Sequence, residues 1–152
     1  MREMQSKYSR FALMIGTSTT LMLGLMYLNT YAMDHIFWSE TRFYMALIMG
    51  ASMGIVMLSF MLHMYTNKKV NSAIYAMSIV VFMAALYLVR SQHTVDDVSW
   101  MKAMIPHHSI AILTSEHANI SDPRVRELAE AIIEAQRREI GEMKMLINDL
   151  EN

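Results

Sequence analysis

The sequence predicts an all-α protein, with three membrane-crossing helices (residues 1–90) followed by a helical hairpin domain (residues 91–152). Three observations predict it. Three long apolar runs occupy the first part, and amphipathic helical spacing governs the second. The charge also divides. Residues 1–90 carry seven Lys/Arg against three Asp/Glu, and residues 91–152 carry six against eleven, within a total of −1. An acidic tail repels phosphates, so nucleic acid is not an expected partner.

The first run, Phe11–Met33, contains no charged residue and is about 23 residues long, enough to cross a bilayer. It is too long for a signal-peptide core and no small-residue cleavage site follows it, so a retained helix is expected. The second run starts at Phe43, is uncharged to Leu62 and is read as a helix over about 43–64; the third is Val70–Val89. Tyr65–Lys69 is the only link between them, which predicts a tight antiparallel pair. Arg2, Lys7 and Arg10 precede the first run, and Lys68 and Lys69 lie between the second and third. The positive-inside rule then places the N-terminus in the cytoplasm and residues 91–152 outside. Tyr27, Tyr31, Trp38 and Tyr44 would form an aromatic belt at the outer boundary. A multi-pass protein in a lipid bilayer is the expectation.

Two patterns stand out in the runs. Met45, Met49, Met53, Met57 and Met61 recur every fourth residue, with Met64 beyond, among eighteen methionines in all. One reading is a thioether ladder for a soft cation; the other is a packing ridge beside Ala46, Gly50 and Gly54, whose small-xxx-small spacing lets helices approach. Steps of four residues rotate by about 40° each, so such a ladder winds away from any one pore and packing is favoured. No acidic residue lies inside a run, which argues against proton-coupled transport. The absence of cysteine excludes disulfides and thiolate chemistry.

In the tail, Asp122 before Pro123 reads as an N-cap followed by proline at the first helical position. Val125, Leu128, Ala129, Ile132, Gln136, Ile140, Met143, Leu146, Ile147 and Leu150 then follow helical spacing. Arg126–Glu130, Glu134–Arg138 and Arg138–Glu142 stand at i,i+4 on the charged face. An earlier helix runs through Val98, Met101, Met104, Ile105, His108, Ala111, Ile112 and Ser115, ending near Ala118. Pro106 should kink or restart it, because proline lacks the N–H that would bond the Lys102 carbonyl. Two such helices bury their apolar faces poorly alone. Pairing with a second copy would complete a four-helix bundle, so a homodimer or higher homo-oligomer is expected.

The string Trp100-Met101-Lys102-Ala103-Met104-Ile105-Pro106-His107-His108 places imidazoles beside thioethers, the donor mixture of copper sites. His107 and His108 are the leading candidate metal ligands, with Met104, Met101 and Met143 after them. Folding the hairpin about residue 120 puts His108 near Ile132 and Gln136, Met101 near Glu139 and Ile140, and Met143 near Asp97. One hairpin then does not gather the donors round one ion, though a dimer could. The alternative is a structural one: His108 hydrogen-bonded to Gln136, with Met101, Met104 and Met143 as core. His117 reads as surface, and His35 and His93 are isolated.

Met104-Ile105-Pro106-His107-His108, Ala111, Leu128-Ala129, Ile132-Ile133, Ala135-Gln136, Glu139-Ile140 and Met143 together resemble the bacterial family known as domain of unknown function 305. The resemblance covers about residues 96–150. It implies a ferritin-like helical bundle and, as in some members, extracytoplasmic copper binding linked to copper tolerance at a bacterial inner membrane. Two departures are visible. Longer members hold two hairpins in one chain, and many carry a methionine about where Ile112–Thr114 stand here. An enzyme is not expected: no Glu-x-x-His pair, nucleophilic triad or glycine-rich phosphate loop occurs. The runner-up function is an oligomerisation module without metal, serving a membrane protein complex.

Overall fold

The computed structural model describes residues 2–152, and those residues are all helix, turn and connecting coil, with no strand. The helices are α1 (Arg2–Leu25), α2 (Glu40–Phe60), α3 (Lys68–Ser91), α4 (Asp97–His117) and α5 (Pro123–Glu151), with a short 3₁₀ turn at Met33–His35. They group into two compact units. One holds residues 1–25 and 41–94, and the other residues 26–40 and 95–152.

In the first unit, two helices are long and apolar enough to cross a membrane, α2 and α3. The third expected span is interrupted. Helix α1 ends at Leu25 rather than Met33, and Tyr27 to Thr30 form a turn in which the Thr30 amide and hydroxyl both donate to the Tyr27 carbonyl. Asn29 and Thr30 favour such local side-chain bonding over helix, and the apolar run hid the stop. From Phe11 to Leu25 the helix offers about 22 Å of uncharged length, short of a hydrocarbon core of about 30 Å.

Packing in this unit depends on the absence of side chains. Helix α2 buries Ala46, Gly50, Ala51, Gly54 and Leu58. A Cβ built on Gly50 would lie 2.3 Å from the Thr19 hydroxyl, and one on Gly54 would lie 3.2 Å from the Ser78 hydroxyl. Gly50 therefore admits α1 and Gly54 admits α3, the close approach that small residues permit between membrane helices. The methionine ridge winds as its four-residue step requires. Met45 and Met49 are exposed, whereas Met57 and Met61 pack on the core of Phe11, Leu58 and Tyr65. At the same end, Asn67 caps α3 by accepting from the Lys69 and Val70 amides. Buried Asn71 donates to the Tyr65 carbonyl at 2.7 Å and accepts from the Tyr8 hydroxyl at 2.7 Å.

In the second unit, Asp96 caps α4 by accepting from the Ser99 amide at 2.7 Å, and Asp122 caps α5 by accepting from the Arg124 amide at 2.9 Å. Helix α4 runs unbroken through Pro106, which lies buried inside it, so the expected restart does not occur. The core comprises Met101, Ile105, Ile112, Ile140, Met143 and Ile147. Of the apolar positions expected on α5, Val125, Leu128, Ile132, Leu146 and Leu150 are instead exposed.

Candidate metal centre

The register of the hairpin decides which donors meet. Folding it symmetrically about residue 120 misplaces α5 by roughly two to three and a half turns. Glu116, one residue from the end of α4, pairs with Arg137 and not with the first turn of α5. At the far end Lys102 bonds Glu151. Arg126 meanwhile reaches the Ala118 and Ile120 carbonyls, satisfying acceptors that the end of α4 leaves open.

Met101 and Met143, 5% and 7% exposed, belong to one core cluster, and Met104 packs against it. Met143 is therefore in the core with Met101. His108 shares this stretch of α4. Its Nδ1 lies 3.0 Å from the Met104 carbonyl, and its Nε2 lies 2.8 Å from Glu139 Oε2. The expected partner Gln136 is replaced by Glu139, three residues further along α5.

His107 does not join it. The two imidazole centroids are 6.3 Å apart with planes at 68°, and His107 is exposed. Neighbouring helical residues diverge by about 100°, so one chain directs these rings to different surroundings. Among the described residues no three His, Cys, Asp or Glu side chains group closely enough to hold a metal. The donor set that one hairpin offers is thus three thioethers in an apolar cluster, with one imidazole–carboxylate pair beside Met104. Thioether sulfur and imidazole nitrogen suit copper, and the His108 Nδ1 contact to a carbonyl is the outer support usual for a ligating histidine. These residues fit a copper ion better than a hard cation.

A second polar constellation in this unit involves His35. Its Nδ1 lies 2.9 Å from the Ser109 hydroxyl, which also accepts the Tyr31 amide at 2.7 Å. Ser109 is fully buried, and the His35 side chain is 12% exposed. Burial, followed by the Lys144 charge, lowers the His35 pKa below the usual 6.5, with Asp34 opposing. Lys144 pairs with Asp34 and holds that carboxyl below its ordinary value. The segment 26–40 is therefore pinned to α4 and α5, and Phe37 packs on their core. His35 is not isolated, contrary to expectation. The missed signal is Asp34-His35 itself, two adjacent ionisable residues in the connection between α1 and α2.

An all-α helical hairpin with a His/Met/Glu cluster, carried on a chain with two membrane-length helices, is the class of protein defined here. The family model described as "Domain of unknown function (DUF305)" matches residues 96–152. The uncharacterized protein L153 of Acanthamoeba polyphaga mimivirus is 34% identical over 109 residues, covering 70% of each chain. The chain belongs to the family of this viral protein, and its residues 96–152 are a DUF305 domain. The aligned length exceeds the matched domain, so the likeness reaches into the preceding helices. This relative is viral, and the bacterial setting implied by the resemblance is not carried by it. No solved structure matches.

Proposed function

We propose that the protein is a membrane-anchored metal-binding protein whose cargo is copper, taken in the +1 state by the thioethers of the hairpin. One observation carries this reading: Met101 and Met143 lie in a single core cluster with Met104 against it, beside His108. Soft thioethers select Cu(I), and a cysteine-free donor set tolerates an oxidising compartment. On this reading α1 crosses the bilayer beside α2 and α3 with the uncharged residues after Leu25 completing its length, and the basic residues near Lys7 and Lys68 keep the N-terminus inside and the hairpin outside. The role is carriage or tolerance of the ion rather than catalysis.

Titration of the full-length chain in detergent with Cu(I) against a chromophoric chelator tests this. Leucine at positions 101, 104 and 143 conserves volume and removes the sulfurs, at a cost below about 1.5 kcal/mol per site. The triple variant is expected to lose Cu(I) uptake, and His107→Ala/His108→Ala to weaken it. Unchanged stoichiometry and affinity in both would refute the proposal.

A second reading has its own observation. Val125, Leu128, Ile132, Leu146 and Leu150 form an exposed apolar stripe along α5. We propose that a second copy covers it, giving a ferritin-like four-helix bundle. Glutamate at Leu128 and Ile132 should then convert the oligomer to monomer in sedimentation. A monomeric wild-type chain would remove this reading and leave the copper reading intact.

A further inference from the structure

We propose that α1, α2 and α3 form a groove for one anionic phospholipid, with an acyl chain lying between α1 and α3 and the headgroup resting at Lys68 and Lys69. The proposal rests on the reading of these helices as bilayer-crossing and is independent of copper. It assigns a ligand to the unit that the metal reading uses only as an anchor.

The groove follows from the glycines of α2. A Cβ on Gly50 would strike Thr19 of α1, and one on Gly54 would crowd Ser78 of α3, so both neighbours settle onto the same helix. Between them lies an open furrow of about 710 Å³, within the roughly 300–1,000 Å³ of small-molecule clefts. Its walls are low. Ala12, Gly16 and Thr20 on one side and Ala73 and Met77 on the other line it and are exposed. A Cβ on Gly16 would meet no atom within 4 Å.

The lining asks for hydrocarbon. The Thr19 and Thr20 hydroxyls donate to the Ile15 and Gly16 carbonyls of their own helix, at 2.8 and 3.0 Å, and need nothing from an occupant. The α3 wall runs from Val70 to Val81, roughly 16 Å along the helix. One leaflet is about 15 Å of hydrocarbon, half of a core of about 30 Å. The two-walled part of the furrow thus has the length of an acyl chain in one leaflet, not that of a helix crossing both.

Charge selects the occupant. The Val70 end of the furrow carries Lys68 and Lys69, both exposed, and residues 6–20 and 61–85 contain no Asp or Glu. These lysines stand in the first turn of α3, where the helix dipole is positive and no acidic side chain offsets it. An anionic headgroup neutralises both. A second copy does the reverse: it keeps the same orientation in the bilayer and brings its own Lys68 and Lys69 against these. Basic pockets between membrane helices on the cytoplasmic side are a general setting for anionic headgroups.

The test is native mass spectrometry of the full-length chain released from detergent, with phosphatidylglycerol and phosphatidylcholine supplied in equal amounts. Wild type is expected to retain one phosphatidylglycerol, at least about tenfold in preference to phosphatidylcholine. Lys68→Gln/Lys69→Gln should abolish that preference. Gly16→Leu/Ala73→Leu fills the furrow from both walls and should lose both lipids. Equal helix content by circular dichroism shows that the variants are folded. Equal retention of the two lipids by wild type would overturn the proposal, as would undiminished lipid binding in the filled variant. A wild-type dimer that the filled variant turns to monomer, with no lipid lost, would give the groove to a second copy instead. A chain that stays in solution without detergent refutes the membrane reading itself, whereas one that needs detergent yet retains no lipid refutes only this groove.

Discussion

Methionine serves two opposite ends in the two units. Along α2 it recurs every fourth residue, and the side chains pass from exposed at Met45 and Met49 to packed at Met57 and Met61. In the hairpin, Met101, Met104 and Met143 show no comparable repeat, yet they end in and against one core cluster. A regular spacing that drifts about 40° per step spreads side chains round a helix, whereas tertiary folding can bring into one core side chains that the sequence scatters. Conspicuous periodicity was thus the weaker guide to which methionines share a core.

The two units also differ in what holds them together, and substitution can break that contrast. The hairpin depends on filled volume. Ile105 is fully buried, so Ile105→Ala should cost about 3–4 kcal/mol in denaturant unfolding. The first unit depends instead on volume withheld. Gly50→Leu drives a side chain into Thr19 and should cost about 2–3 kcal/mol. Gly16 has open space where a Cβ would stand, so Gly16→Ala should be tolerated. A Gly50 variant as stable as wild type would dissolve the contrast.

A smaller effect is expected where the segment 26–40 is pinned. Ser109→Ala removes the acceptor of the Tyr31 amide and the His35 contact, a loss of about 1–2 kcal/mol. Chemical denaturation at pH 7.5 is the check. The smallest effect is one of pH. Burial lowers the folded-state pKa of His35, so the unfolded chain binds the proton more readily. The contribution of neutral His35 is therefore present above about 6.5 and is lost as pH falls through the lower folded value. Lys144 opposes the charged form and Asp34 favours it. Stability profiles of wild type and His35→Asn should converge below pH 6 and separate above pH 7; parallel profiles would exclude His35 as the source.

Much of the architecture was legible in the sequence because it is local. Asp96 and Asp122 cap α4 and α5, Pro123 begins α5, and α2 and α3 follow their apolar runs closely. The end of α1 was not legible, because the turn at Tyr27–Thr30 sits inside an apolar run and composition cannot mark it. Nor was the site. A connection of a few residues does not fix the offset between two helices, and that offset decides whether His108 meets Gln136 or Glu139. The exposed stripe of α5 was missed for a related reason. The apolar face of that helix is about 120° wide, and periodicity alone does not say which part of it α4 covers.

The central claim is that thioethers of the hairpin bind copper, and X-ray absorption at the copper edge of the Cu(I)-loaded full-length protein tests it most directly. The expected spectrum shows sulfur neighbours that vanish when Met101, Met104 and Met143 are replaced by leucine. A first shell of nitrogen and oxygen alone in the wild-type protein would contradict it.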